Sequence, residues 1–184
     1  MKVITLPNTD DVLAPARQRL RCIEISRAIG SANTTLAAFD DALIKCGVGN
    51  FNLIRLSSVI PPETTVSVAD GPADVMGDWG DRLYVVMAEE RVDRVGREAW
   101  AGIGWVQHEE TGRGLFVEHE GNSEHQVRDD IERSLSALME ARPHVQFGPI
   151  QSVMQGARCE GSPVCAMVVA VYEAAGWTID MRGT

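Results

Sequence analysis

Two adjacent serines, Ser57 and Ser58, end an apolar run in the segment NLIRLSSVIPP, where Pro61 and Pro62 follow closely. Serine hydroxyls often stabilise turns, so the simplest interpretation is a strand that stops at a turn. The usual catalytic alternative is a Ser-His-Asp triad, but neither serine lies in a Gly-x-Ser-x-Gly motif. If the two serines are catalytic, they must act in another way.

A serine hydroxyl can attack the carbonyl of the preceding residue and convert that peptide bond into an ester. Fixed orientation and local backbone strain favour such an intramolecular attack. β-Elimination of the ester leaves dehydroalanine, which loses ammonia and becomes a pyruvoyl group at a new N-terminus. A serine of this pair could therefore supply a ketone cofactor from the chain itself, with no external cofactor.

The sequence around the serines closely resembles the pyruvoyl-dependent arginine decarboxylases, in which Ser-Ser is the site of self-cleavage. The matching stretches are TLAAFDDALIKCGVGNFNLIRLSSVIPPE and the upstream LPNT. Further on, GLFVEHEG resembles the family's strand that carries a glutamate, and CAMVVAVYEAAGW resembles its C-terminal helix. The resemblance spans most of the chain and is weakest over residues 65–98. It implies an α+β fold, a four-layer αββα sandwich, in a single domain over residues 1–184.

The resemblance also implies the reaction. Cleavage between Ser57 and Ser58 would give a β chain of residues 1–57 and an α chain of residues 58–184, with Ser58 becoming the pyruvoyl group. The ketone would condense with the α-amine of L-arginine, and the resulting imine would accept the electrons left when carbon dioxide departs. The product would be agmatine.

Two further residues match catalytic positions of the family. Glu118 matches the glutamate that supplies a proton to Cα after decarboxylation, and Glu120, two residues on, is the fallback acid. Asn52 matches an asparagine near the scissile bond, where its amide could polarise the Leu56 or Ser57 carbonyl. Without the resemblance, Glu118 would be an exposed strand carboxylate and Asn52 a turn residue.

The resemblance places substrate-binding residues on a predicted helix. Asp40 matches the aspartate that binds the substrate guanidinium through two parallel hydrogen bonds, and Leu36 and Gly49 would line the same pocket. The alternative is that Asp40 and its neighbour Asp41 belong to a solvated helix face. The motif favours Asp40 over Asp41.

Two other functions stay open. Histidine decarboxylases use the same fold and the same Ser-Ser cleavage, so the amino acid could differ, although Asp40 suits a long cationic side chain. An unprocessed relative could instead serve as a binding or assembly subunit. In the family the enzyme is a trimer with active sites between neighbouring subunits, so we expect a homotrimer or a dimer of trimers.

Composition excludes several classes of function. The 184 residues carry a formal charge of -9, which disfavours binding to nucleic acid or to an anionic membrane. The N-terminal residues do not form a secretory signal and no apolar run is long enough to span a bilayer, so we expect a cytoplasmic protein. The four cysteines form no Cys-x-x-Cys pair and no histidine lies at metal-ligand spacing from them, which predicts reduced, mostly buried thiols and no metal.

Hydrophobic periodicity predicts the elements that must position these residues. In FNLIRLSSVI the two serines would face opposite sides if the strand is regular. Residues 63–80 predict a long surface connection, and Gly30 to Asn33 a turn. The other predicted strands are RCIEISRAI, RLYVVMAEE, AWAGIGWVQHE, GLFVEHEG and HVQFGPIQSVM, and the predicted helices are TTLAAFDDALIKCG with a Thr34 or Thr35 cap, residues 124–141 with a Ser123 cap, and VCAMVVAVYEAAG.

Overall fold

A computed structural model of the chain describes residues 21–177, so the upstream LPNT segment lies outside the described residues. The order of elements along the chain mixes strands and helices without a regular alternation. They are β1 (Arg21–Ser31), α1 (Thr35–Lys45), β2 (Asn52–Arg55), β3 (Val59–Ile60), β4 (Thr64–Val68), β5 (Arg82–Val92), β6 (Glu98–Gln107), β7 (Gly114–Gly121), α2 (Glu124–Glu140), β8 (Gln151–Arg158) and β9 (Val164–Ala175).

The strands form two sheets. The first has the order β2-β5-β9-β1-β4, in which the outer pairs β2/β5 and β1/β4 are parallel and the inner pairs are antiparallel. The second has the order β3-β7-β6-β8 and is antiparallel throughout. β2 and β3 therefore belong to different sheets although only three residues separate them, and those residues include both serines.

Three hydrophobic clusters show how the elements pack. One lies between the two sheets and includes Ile103 and Phe116 of the second sheet and Val168 of the first. A second lies between α1 and the first sheet, and a third between α2 and the second sheet. The α+β class and the single domain are confirmed; the αββα layering stays a prediction, with which these contacts are consistent.

Both predicted helix caps are confirmed. The Thr34 hydroxyl accepts a hydrogen bond from the Ala37 N–H at 3.1 Å, and the Ser123 hydroxyl accepts one from the Gln126 N–H at 3.3 Å. α1 lies very close to β1, because a Cβ at Gly30 would be only 1.8 Å from the Ala38 carbonyl oxygen. The turn predicted from Gly30 begins later, since β1 continues to Ser31.

The predicted C-terminal helix is wrong, because VCAMVVAVYEAA forms strand β9. All residues from Val164 to Val171 are buried, since β9 pairs with β5 on one side and β1 on the other and is covered on both faces. A short apolar run of this kind has no periodicity that separates a buried helix from a buried strand. The β-branched valines and the sheet partners decide for the strand.

Three other predictions are corrected in part. The surface connection over residues 63–80 contains β4, which adds to the edge of the first sheet. The strand predicted in HVQFGPIQSVM begins only at Gln151. The strand predicted in FNLIRLSSVI is interrupted, because pairing stops after Arg55 and resumes at Val59 in the other sheet. The other predicted strands are confirmed as β1, β5, β6 and β7.

Candidate active site

Ser58 and Glu118 meet at the point where the chain passes from one sheet to the other. The Ser58 hydroxyl lies 2.7 Å from Oε1 and 2.8 Å from Oε2 of Glu118 and donates its hydrogen bond to this carboxylate. Both residues are half-buried. Glu118 lies on β7, which pairs with the short strand β3 immediately after the serine. The pairing of β3 with β7 thus brings together residues that are 60 positions apart.

The backbone of Ser58 adopts a conformation that residues with a side chain rarely take. Its φ is 65°, in the left-handed region, which costs of order 1–2 kcal/mol for a residue other than glycine. The Ser58 carbonyl accepts a hydrogen bond from the Phe116 N–H at 2.8 Å. The carbonyl and the hydroxyl of Ser58 are therefore both held by β7, which offsets part of this strain.

These contacts suit an attack of the hydroxyl on the preceding carbonyl. Glu118 can orient the Ser58 hydroxyl for this attack, because a carboxylate accepts hydrogen bonds through two oxygens. Ser57, which supplies the carbonyl, is exposed and its side chain makes no hydrogen bond within residues 21–177. The geometry brings Ser58 and Glu118 together as expected, and it leaves the fallback acid Glu120 exposed.

Tyr172 is a neighbour of this site that the sequence did not reveal. Its hydroxyl donates to the Val59 carbonyl at 3.1 Å, and its ring packs edge-on against Phe116 with centroids 6.2 Å apart. Burial and then the charge of Glu118 raise the pKa of Tyr172, which keeps the phenol protonated as a donor. Because Tyr172 fell in the segment predicted as a helix, no pattern in the sequence could link it to Val59.

A cavity of about 300 Å³ opens beside the segment that carries the serines. Its lining includes Leu56 and Pro61, which precede and follow the serines in the chain, and Tyr84, Tyr172 and Glu173 of the first sheet. Its volume is at the lower end of the range for small-molecule pockets.

The Asn52 side chain makes no hydrogen bond with the scissile peptide within the described part of the chain. It begins β2, and its side-chain amide donates to the Gly80 carbonyl at 2.6 Å. The Trp177 indole donates to the same carbonyl at 2.9 Å. Within residues 21–177, Asn52 makes no side-chain hydrogen bond with Leu56, Ser57 or Ser58. The expected contact with their carbonyls is therefore absent from this part of the chain.

The three predicted substrate-binding residues share one surface. Leu36 and Asp40 lie one turn apart on α1, and both are exposed. Ile44 continues the same face and is 58% exposed, and Gly49 packs against it, since a Cβ at Gly49 would lie 2.7 Å from Ile44 Cγ1. An aspartate flanked by exposed apolar side chains is suited to contact another molecule.

The structure separates Asp40 from its neighbour Asp41. The Asp41 carboxylate accepts hydrogen bonds from the Lys45 ammonium at 2.7 Å and the Ser31 N–H at 2.9 Å. The Lys45 hydrogen bond and then the Ser31 N–H hold the pKa of Asp41 below its usual value. Asp40 forms no ion pair within the described part of the chain, so of these two aspartates Asp40 is the one available to bind a cation.

The two groups of candidate residues do not meet within one chain. α1 packs on one face of the first sheet, whereas Glu118 and Phe116 lie on the side of β7 that faces the other side of that sheet. Ser58 and Glu118 therefore lie together, while Leu36, Asp40 and Gly49 form a separate surface.

Other kinds of site are not supported by the residues that the structure describes. Within residues 21–177 no group of His, Cys, Asp and Glu side chains could hold a metal ion, and no helix is long and apolar enough to cross a membrane.

The prediction of reduced, mostly buried cysteines is confirmed: all four are free and three are buried. Burial raises the pKa of the Cys46 thiol to about 11 and that of Cys165 to about 12.

Comparison with known proteins identifies the family. The sequence model described as "Pyruvoyl-dependent arginine decarboxylase (PvlArgDC)" matches residues 22–175. A pyruvoyl-dependent arginine decarboxylase of Halobacterium salinarum is 34% identical over 82% of this chain and 92% of the relative. One of Thermococcus kodakarensis is 33% identical over 60% of this chain and 68% of the relative. A solved pyruvoyl-dependent histidine decarboxylase aligns at 17% identity with a TM-score of 0.39, covering 59% of this chain and 55% of that one, which is too weak to carry an argument. On the family match and the relative from Halobacterium salinarum, this chain belongs to the pyruvoyl-dependent arginine decarboxylase family.

Proposed function

We propose that this enzyme cleaves itself between Ser57 and Ser58 and then converts L-arginine to agmatine and carbon dioxide. The observation that carries the proposal is the Ser58 side chain, which lies within hydrogen-bond distance of both Glu118 oxygens while its backbone is held at a φ of 65°. The names of the relatives support the choice of arginine.

In the proposed self-cleavage, Ser58 Oγ attacks the Ser57 carbonyl carbon while its hydrogen bond to Glu118 holds the hydroxyl in position. The C–N bond between the two residues breaks, the hydroxyl proton passes to the Ser58 nitrogen, which becomes a free amine, and the chain is joined through an ester. Loss of the Ser58 Cα proton and of the Ser57 carboxylate leaves dehydroalanine at residue 58. Water then replaces its nitrogen, which leaves as ammonia, and Ser58 has become a pyruvoyl group.

The residues around Ser58 fit this group. The Phe116 N–H already binds the Ser58 carbonyl, which persists as the amide carbonyl of the pyruvoyl group. The pyruvoyl ketone supplies an electron sink for the charge left when carbon dioxide leaves. Glu118 is next to this position and delivers the proton to the substrate Cα. Asn52 stays a predicted third catalytic residue, although within one chain its amide donates to the Gly80 carbonyl and makes no hydrogen bond with the scissile peptide.

The substrate-binding residues act across a subunit boundary in this proposal. Asp40 binds the arginine guanidinium, and Leu36 and Gly49 line the pocket around its aliphatic stem. Because the surface of α1 does not meet Ser58 within one chain, a second copy must bring them together. The exposure of Leu36, at 67%, and of Ile44 supports burial of this face in a homotrimer or a dimer of trimers. A cytoplasmic location and a role of agmatine in polyamine biosynthesis stay predictions.

Denaturing electrophoresis and intact-mass measurement of the purified protein test the self-cleavage. We expect two fragments, residues 1–57 and 58–184, and an α chain that begins with pyruvoyl followed by Val59. Ser58→Ala should stay whole, whereas the matched variant Ser57→Ala should cleave, since its hydroxyl takes no part. Full-length wild-type protein after prolonged incubation would contradict the proposal and favour an unprocessed binding or assembly subunit.

Release of carbon dioxide from the processed protein tests the substrate. Arginine should be decarboxylated in preference to histidine and lysine, because only its side chain offers a planar cation for two parallel hydrogen bonds. Preference for histidine would assign the chain to a different amino acid while leaving the self-cleavage intact.

A further inference from the structure

Tyr172 occupies an irregular position in the first sheet. Tyr84 of β5 pairs with Glu173 of β9, and the next residue, Val85, pairs with Val171. Tyr172 is the extra residue between them and has no partner on β5. The pairing of β9 with β1 ends at Val171, so Tyr172 has no partner there either. A β-bulge of this kind changes the direction of a side chain, and bulges are frequent next to active sites.

The bulged residue directs its hydroxyl to the peptide that follows Ser58. Tyr172 donates to the Val59 carbonyl at 3.1 Å. On the other side of the serines, the Leu56 N–H donates to the Val85 carbonyl at 2.9 Å. The short segment that contains Ser57 and Ser58 is thus tied to the first sheet at both ends. Val85 and Tyr172, which make these two hydrogen bonds, both belong to the bulge between β5 and β9.

The hydrogen bond from Tyr172 holds the peptide next to a strained residue. Ser58 has a φ of 65°, and without support its backbone would relax toward the ordinary extended or helical regions. Phe116 and Glu118 hold the carbonyl and the hydroxyl of Ser58 from the second sheet. Tyr172 holds the following peptide from the first sheet, so the segment cannot relax by moving toward either sheet alone.

We propose that Tyr172 is a positioning residue for self-cleavage: its hydrogen bond to Val59 keeps Ser58 in the conformation from which Oγ attacks the Ser57 carbonyl. The inference rests on the proposed self-cleavage and adds a residue that acts through Val59 and does not touch the reacting atoms. Tyr172 therefore assists formation of the ester, the step that depends on the orientation of Ser58, and not the elimination that follows.

A cell-free synthesis of the full chain, followed over time on denaturing gels, tests this inference. Tyr172→Phe removes the hydroxyl and keeps the ring against Phe116, so cleavage should slow about three- to tenfold, the effect of losing one neutral hydrogen bond. Tyr84→Phe is the matched control, because Tyr84 lines the same cavity and its hydroxyl makes no hydrogen bond within residues 21–177. It should cleave at the wild-type rate.

Two further readouts separate positioning from a purely structural role. In the uncleavable Ser58→Ala background, adding Tyr172→Phe should leave the Tm nearly unchanged, whereas a structural role would lower it. Hydroxylamine cleaves esters, so the fraction of uncleaved chains that it splits measures how much ester has formed. At the same time point this fraction should be smaller for Tyr172→Phe than for wild type. A larger fraction would mean that Tyr172 acts in the elimination, and would overturn the assignment.

Three other outcomes would overturn either the role of Tyr172 or the proposed function. Wild-type cleavage together with an equal rate for Tyr172→Phe would overturn the role of Tyr172 and leave the proposed function standing. The same would follow if Tyr84→Phe slowed cleavage as much as Tyr172→Phe. Absence of cleavage in the wild type would overturn the proposed function itself, and the inference with it.

Discussion

The Ser58 hydroxyl, in the segment between β2 and β3, donates to the Glu118 carboxylate on β7, at 2.7 and 2.8 Å from its two oxygens. In the proposed function the same carboxylate serves both the formation of the pyruvoyl group and the later decarboxylation. Substitutions of Glu118 can separate these two roles. Self-cleavage requires a side chain that accepts the hydrogen bond of the Ser58 hydroxyl, whereas decarboxylation requires one that can transfer a proton.

Glu118→Gln should cleave but decarboxylate poorly. The glutamine amide oxygen can still accept the Ser58 hydrogen bond, whereas the amide cannot deliver a proton to Cα. We expect kcat for arginine to fall roughly a hundredfold or more, as is typical for a positioned general acid. The measurement is intact mass followed by carbon dioxide release. Near-normal turnover would move the role to Glu120 or to another acid.

Asp40→Asn should weaken the use of arginine and leave self-cleavage unchanged. The substitution removes the charge that pairs with the guanidinium, and Asp40 lies on α1, away from Ser58. We expect kcat/KM for arginine to fall about tenfold to a hundredfold, the effect of losing hydrogen bonds between charged groups. Asp41→Asn is the matched control: its carboxylate is engaged by Lys45 and Ser31, so kcat/KM should change little. Equal losses in the two variants would contradict the assignment of Asp40.

An inactive variant and an impaired one should restore activity to each other if the site lies between subunits. Ser58→Ala lacks the pyruvoyl group but keeps Asp40, and Asp40→Asn keeps the pyruvoyl group. Co-expressed, they should form mixed oligomers in which a complete site arises at some boundaries, and arginine decarboxylation should exceed that of either variant alone. Ser58→Ala with Glu118→Gln is the control and should give no gain, because both residues belong to the same side of the site. Absence of any gain in the first mixture would argue for a site within one chain.

Glu90→Gln should stabilise the protein at neutral pH. Burial, followed by the charges of Glu120 and Glu89, raises the pKa of Glu90 in the folded protein above its usual value of 4.5. A raised pKa means that Glu90 favours folding when protonated, and this contribution is lost as pH rises through the folded pKa. The neutral glutamine should therefore raise the free energy of unfolding at pH 7, and the difference from wild type should vanish below about pH 4. Urea unfolding at the two pH values measures this; an equal difference at both would contradict it.

The sequence by itself determined much of the chemistry. The Ser-Ser pair, Asn52, Asp40 and Glu118 were predicted as a set through the resemblance to the pyruvoyl-dependent arginine decarboxylases, and their side chains suit self-cleavage, guanidinium binding and proton transfer. Local signals also predicted α1 and α2 with their caps, since a cap is a contact between residues three apart. Strands β1, β5, β6 and β7 followed from short-range patterns in the same way.

Only the tertiary structure decided how these residues meet. β9 is a strand because β5 and β1 pair with its two edges, and no local periodicity carries that information. The positive φ of Ser58 and its contact with Glu118 depend on the pairing of β3 with β7, and the position of Tyr172 depends on a bulge between β5 and β9. Each of these features arises from strands far apart in the chain. The contacts that stabilise them therefore form only when the two sheets are assembled. The separation of Asp40 from Ser58 has the same origin, because α1 covers the face of the first sheet that is turned away from Glu118.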